Sequence, residues 1–412
     1  MSTLRGALPD GIQPPIGDQA RSRIYQMKNT DFKQSQKSYP DDLTIIAGSV
    51  DGCRELLTLV ETFLKWTRMM EAKPTKCRSL AMKKSNIVRT HGRTSTTCAP
   101  YDPQLHISGK DIPFIHQSSM RFLGQEIFKD LNDKEVRYGV ESKLKILLER
   151  VNNDQVNSIA KMWIYENHIV SRISWEFIIY CFPVSFAQNL QAVATRYLKR
   201  WAGLPKCANP SILYRKRDNK GLQLKDLTTH FKYMQLVKYH IMKYSINEQT
   251  QLIYGHIEQR QRGKKQWNGV KELHERERRL FINELCRGQH GRQGLGFIKG
   301  QKRQEQMSKQ EHRSTLSSIT KDVSEEHLLV SLYGMAKQGR FLGWETAMHM
   351  DTRWNSLLYS WSPEMLTFYL NSIQDTLPSP ANLKTWNKHP LGQCTLVNAT
   401  TAAQCCTYST IS

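Results

Sequence analysis

A chain of 412 residues, 39% of them hydrophobic, is long enough for two or three domains with real cores. Its formal charge of +22 argues against an enzyme of small metabolites. It favours a polyanionic partner, nucleic acid before a membrane surface, over a basic protein merely kept in solution by repulsion.

Residues 1–38 are polar, carry Pro9, Pro14 and Pro15 and show no apolar periodicity, so they read as a disordered leader without the apolar core of a secretory signal. Tyr39-Pro40-Asp41-Asp42 follows, at the tip of a hairpin leading into a β-branched strand from Leu43 to Ala47. Two adjacent carboxylates there make either a solvated turn or a place for a divalent cation. Ser49 is placed to cap a helix with Asp51 in its first turn. Leu56, Leu59, Val60, Phe63, Leu64 and Met70 repeat along it at helical spacing, and Lys73-Pro74 ends it. A strand is expected from Cys77 to Met82 and a polar loop from Lys83 to Pro103. A short hairpin is expected around Ser108-Gly109-Lys110, and Phe122-Leu123-Gly124 closes the β-containing part.

From about Lys134 the pattern is helical, over 136–152, 153–165, 168–181, 185–201, 227–245, 272–286 and 325–338. The expected fold class is therefore α+β, predominantly α, with a small antiparallel sheet ahead of a helical region. The most apolar stretch, Trp175 to Phe186, contains Glu176 and Pro183 and falls short of the ~20 residues that span a bilayer, so no membrane is expected. Nine scattered cysteines suit a reducing compartment, nucleus or cytoplasm.

The charge is uneven. From Arg196 to Arg313 there are 27 Lys and Arg against 10 Asp and Glu, a net +17 of the +22. Tyr197, Trp201, Tyr214, Phe231, Tyr233, Tyr239, Tyr244 and Trp267 interleave with these cations. Cations that neutralise phosphates, beside rings that stack on bases, suit a groove for nucleic acid. Arg196, Lys199, Arg200, Trp201, Arg215, Lys216 and Arg217 are the candidate contacts. The other reading is a helical domain with basic outer faces and aromatics in its core. Glu272 to Arg279 reads as a solvated, mixed-charge helix face.

The order of an Asp-Asp hairpin, an amphipathic helix, Lys73-Pro74-Thr75-Lys76-Cys77-Arg78-Ser79-Leu80, Phe122-Leu123-Gly124 and a helical region resembles the later palm and thumb of a reverse transcriptase. It is most similar to those of non-LTR (LINE-like) retrotransposons. Tyr197-Leu198-Lys199-Arg200-Trp201-Ala202-Gly203-Leu204-Pro205 and Leu377-Pro378-Ser379-Pro380-Ala381-Asn382-Leu383 resemble that family's C-terminal region, so the likeness spans residues 39–394. It implies a partial palm over 39–128, a helical thumb over 129–205, a basic helical region over 206–390 and a disordered tail over 391–412. By the family's mechanism, Asp41 would hold Mg²⁺ or Mn²⁺ with Asp42 beside it as the second catalytic carboxylate. Lys73 or Lys76 would lie near the incoming triphosphate, and Phe122, Leu123 and Gly124 would position the primer end of an RNA or DNA template-primer.

Departures from the family pattern limit what the likeness implies. The family needs a further aspartate on a strand well ahead of the box, whereas Asp10, Asp18 and Asp31 lie in polar surroundings. Pro40 replaces the usual alanine and fixes φ beside Asp41. The family's zinc-knuckle array is not reproduced by Cys394, Cys405 and Cys406, with Val397 at a ligand position, so no zinc site is expected. There is no Walker loop and no His-Glu-x-x-His, and His389 stands apart from Cys394. The expectation is a reverse-transcriptase-domain protein truncated at both ends and catalytically incomplete, an ancestral RNA-directed DNA polymerase. The alternative is a non-catalytic RNA- or DNA-binding module built on the basic helices.

Overall fold

The structure, a computed structural model, describes residues 36–39, 42–67, 71–90, 93–115, 119–122, 124–129, 133–216, 221–261, 267–287, 307–335 and 361–388. It is mostly helical with a few small antiparallel sheets, the expected fold class. The chain forms two compact units, Met1–Val136 and Arg137–Ser412.

In the first unit, β1 (Gln36–Tyr39) pairs antiparallel with β2 (Asp42–Ile45), from Gln36 opposite Ile45 to Tyr39 opposite Asp42. This strand pair stands where the Asp-Asp hairpin was expected, and β1 begins inside the segment read as leader. α1 (Val50–Thr67) follows, and the Ser49 hydroxyl accepts from the Gly52 N–H at 3.1 Å, the expected cap. The helix turns differently from the expected face: Leu57 is buried whereas Leu59 is exposed. Leu57 packs with Leu105, Ile107 and Ile112, and Ile45, Val50, Cys53, Ala72 and Cys77 border that core.

Two expectations between residues 77 and 103 are corrected. Pro74–Lys76 is a single 3₁₀ turn. Residues 77–80 do not form the expected strand; Ser79 makes one isolated bridge to Phe114, donating to Pro113 O at 3.0 Å and accepting from Ile115 N at 3.1 Å. The segment read as a polar loop is instead a long antiparallel hairpin, β3 (Ala81–Thr90) with β4 (Arg93–Tyr101). Its Thr and Val residues favour extended backbone, and strand pairing satisfies the peptide groups. β5 (His106–Ile107) and β6 (Lys110–Asp111) form the expected short hairpin. Ser108 and Gly109 both take positive φ in its two-residue turn, the geometry that follows the twist of paired strands. β7 (Met120–Phe122) and β8 (Gln125–Ile127) form a last hairpin, with Gly124 at φ +80°.

In the second unit, α2 (Lys134–Asn153) precedes α3 (Ser158–Ile164), which runs through a π turn (Tyr165–Ile169) into α4 (Val170–Ile179). The expected break at 165–168 is therefore a bulge within one continuous helix. Tyr165, fully buried, donates from its hydroxyl to Lys225 O at 2.9 Å, and Lys225 Nζ donates to Glu166 O inside the bulge at 3.1 Å. α5 (Val184–Trp201) and the single turn α6 (Ser211–Tyr214) lead to α7 (Leu227–Lys243). α7 is the hub. It packs on α4 and α5, and on α8 (Glu248–Gln261), α9 (Gly269–Arg287) and α10 (Lys309–Tyr333). Phe231 on α7 meets Phe177 on α4 edge to face at 5.4 Å, and Gln235 caps the end of α4 by donating to Phe177 O and Tyr180 O. Leu236 and Tyr239 continue the core with Tyr254, Val270, Leu273 and Leu316. Helices before and after residue 205 thus share one interior. α11 (Pro363–Ile373) and α12 (Pro380–Thr385) complete the described chain. No described helix is long and apolar enough to cross a membrane.

Candidate nucleic-acid interface

The residues of the Asp-Asp box fall at the edge of what is described. Pro40 and Asp41 lie outside the described residues, and Asp42 is placed only through its backbone, as the first residue of β2. Lys73 and Lys76 are exposed on either side of Pro74. Ala72 and Cys77, which flank that turn, border the same apolar core as Ile45 of β2, so the structure brings these two segments onto one core. Phe122, half-buried, and Gly124 share the β7–β8 turn, and Leu123 lies outside the described residues. Among the described residues no group of three or more His, Cys, Asp and Glu is placed to hold a metal ion. The Mg²⁺ or Mn²⁺ that the resemblance implies has no such ligand group there.

The basic helices divide into cations that hold the fold and cations that face water. α5 buries Leu190, Ala194 and Leu198, which leaves Arg196 and Arg200 exposed one turn apart on its outer side. Arg200, in the last turn, also complements the helix dipole. Arg200 lies over the Tyr197 ring at 5.8 Å, and the Tyr197 hydroxyl donates to Glu149 at 2.6 Å. That bond, more than burial, raises the Tyr197 pKa.

Lys199, expected to point at a ligand, folds back to donate to Lys206 O and Ala208 O, and partial burial lowers its pKa. Trp201 is buried, with its indole N–H on Asn152 at 3.2 Å, and cannot serve as a stacking platform. Arg215 is 1% exposed. The following strand of chain wraps it, with Gln223 N on Arg215 O and a Gly221 whose Cβ would strike that carbonyl. Burial, against the pull of Glu325, lowers its pKa to about 10, and Nε and Nη1 find no partner among the described residues. Lys216 turns to α10, its N–H on Glu325 at 2.9 Å and its Nζ on Asp322 at 2.6 Å. Arg217 lies outside the described residues.

Lys143, Lys161, Lys225 and Lys238 likewise donate to main-chain carbonyls, of Arg172, Asn152, Glu166 and Ile179. The face read as solvated at Glu272 to Arg279 is also partly internal: Arg276 is buried against Glu272, and Glu277 takes Lys243 at 2.5 Å. Of the interleaved aromatics, Trp201, Phe231 and Tyr239 are core residues. For these rings the bland reading of aromatics in the core is the one the packing supports.

Between Arg196 and Arg313, the described cations that remain facing water are Arg196, Arg200, Lys206, Lys271, Arg278, Arg279, Lys309 and Arg313. Lys206 was not singled out from sequence, although its place in the turn directly after α5 was a signal for exposure. Compared with models of known protein families and with curated proteins, the chain matches none of them.

Proposed function

We propose that the chain is a nucleic-acid-binding protein of non-LTR reverse-transcriptase ancestry. Its helical unit grips the backbone of RNA or DNA through outward-facing cations, beginning with Arg196 and Arg200. The observation that carries this reading is the pair itself: two guanidinium groups one turn apart on the outer side of a helix whose inner side is core. Two such donors match successive phosphates as readily as any single anion, and the net charge of +22 draws a polyanion toward them. The order of the Asp41-Asp42, Lys73–Leu80 and Phe122–Gly124 segments supports the ancestry. Nucleus or cytoplasm, where nucleic acid is available, is the corresponding compartment.

RNA-directed DNA synthesis is the second reading, and it rests on the Asp41-Asp42 box. A two-metal mechanism needs carboxylates from more than one segment to hold both ions in register. The two readings separate in one experiment on the purified 412-residue chain. It is expected to bind labelled RNA and DNA, with affinity unchanged in Asp41→Ala, and not to extend a primed RNA given deoxynucleotides and Mg²⁺ or Mn²⁺. Extension that disappears in Asp41→Ala would establish the polymerase reading in its place.

A further inference from the structure

α10 meets α7 through a pair of histidines. His240, near the end of α7, is 8% exposed, and its ring centroid lies 5.3 Å from that of His312, one turn into α10. On its own helix the Tyr244 ring stands 4.8 Å away. Nδ1 of His240 is buried and finds no hydrogen-bond partner among the described residues. A neutral imidazole can leave that nitrogen bare, which idles an acceptor and nothing more. An imidazolium carries a proton on both nitrogens, so it would place a charged donor there with no acceptor.

The surrounding charges oppose that proton further. His312 and Arg313 face His240 from α10 and Lys243 from its own helix, against Glu277 of α9. Glu277 is already engaged, taking Lys243 at 2.5 Å and the Tyr244 hydroxyl at 3.1 Å. From α8, Glu258 turns to His274 at 3.2 Å, and the Tyr254 hydroxyl lies 3.4 Å from the same nitrogen. Glu311 of α10 takes the Ser308 N–H at 2.7 Å. Toward α4, Lys238 donates to Ile179 O, and α5 meets the start of α7, where Gln191 takes the Leu227 N–H. Burial first, then these cations, lower the His240 pKa from its ordinary 6.5.

The start of α10 is also the part that can yield. None of residues 308–315 is buried, and the first buried position is Leu316, in the core with Leu236 and Tyr239. The Ser308–Glu311 capping box keeps these turns helical by bonds of their own. They can therefore leave α7 without unseating Leu316.

We infer that His240 and His312 form an acid-released latch: protonation of both rings parts residues 308–315 from α7, while Leu316 holds the rest of α10 in place. The closed contact binds fewer protons than the open one, so it is complete above pH 6.5 and weakens as pH falls below it. Lys309 and Arg313, two of the outward cations, ride on the released turns. The latch does not depend on the nucleic-acid reading above.

The test is amide hydrogen exchange on the full chain between pH 7.5 and pH 5, corrected for the pH dependence of unprotected amides. Protection over residues 308–315 is expected to fall about tenfold more than protection over residues 316–333. His240→Phe keeps a flat ring against Tyr244 and takes no proton, so it should abolish that excess. His312→Gln, at a half-buried position, should abolish it too. His230→Gln should retain it, which separates the latch from a general loss of stability in acid. An acid response equal along the whole of α10, or an excess that persists in either His240→Phe or His312→Gln, would overturn the inference. If His240→Phe does not fold, His312→Gln decides by the same comparison.

Discussion

Glu325→Ala is expected to destabilise the helical unit by about 3–5 kcal/mol in urea unfolding. Arg215 is almost wholly enclosed, and Glu325, itself buried, is the charge that opposes the penalty of its burial. Glu325 also accepts the Lys216 N–H, so alanine would leave both a buried guanidinium and a part-buried peptide donor uncompensated. The converse is equally specific. Removing the charge from both residues while keeping an acceptor for the Lys216 N–H, Arg215→Met with Glu325→Gln, should leave stability within about 1.5 kcal/mol of the parent. A Glu325→Ala protein as stable as the parent would mean that Arg215 is solvated in solution and available to a ligand after all.

The second large effect is on pH. His230 lies between Phe177 and Ser174, with Nε2 2.7 Å from a Ser174 hydroxyl that also sits 2.7 Å from Val170 O. The serine gives its proton to that carbonyl, so His230 Nε2–H donates to the serine oxygen. Burial, with Lys225 and Lys321 nearby, pushes the His230 pKa down to about 4 from 6.5. The folded state thus holds fewer protons than the unfolded state between those values. Stability is fully present above pH 6.5 and is lost as pH falls from 6.5 toward 4, by about 3 kcal/mol in all. His240 titrates in the same direction, lowered by burial, His312, Lys243 and Arg313 and raised by Glu277, so the parent slope contains both. His230→Gln keeps a donor toward Ser174 and cannot titrate. Its urea midpoint should fall less than the parent's between pH 7 and pH 4. Parallel profiles for the two proteins would show that His230 is protonated at no cost.

These two cases bear on how the chain uses its charge. A basic residue looks the same in sequence whether it caps a helix, compensates a buried acid or faces water. Lys199, Arg215 and Lys216 were all read as contacts for nucleic acid, and all three face inward or bind their own chain. Their partners, the carbonyls of Lys206 and Ala208 and the acids of α10, lie on segments whose approach no local pattern reveals. Arg196 and Arg200 were legible because α5 has a clean apolar stripe, so its remaining side is outside by elimination.

The same division holds for the fold. α2, α4, α5 and α7 follow strong helical periodicity and lie close to their expected bounds, and the Ser49 cap stands as read. α8, the first half of α10, α11 and α12 were missed because their apolar patterns are weak or short, although their starts were marked. Ser308 and Glu311 form a reciprocal capping box, and Ser362-Pro363 and Ser379-Pro380 each place a capping hydroxyl before a proline suited to the first turn. The β3–β4 hairpin was illegible for a different reason. Its strands, rich in Ser, Thr, Lys and Arg, lack the regular apolar–polar alternation by which a strand is read from sequence. The π turn left no sequence signal at all.

The central claim, that the exposed cations of α5 hold a phosphate backbone, is tested most directly by salt dependence. Binding of a labelled duplex is measured from 50 to 200 mM salt for the parent and for Arg196→Ala/Arg200→Ala. The parent's log affinity should fall steeply and linearly with log salt. The double variant should bind more weakly, with a slope shallower by about 2, near one unit for each phosphate no longer neutralised. Equal slopes and equal affinities for the two proteins would contradict the claim.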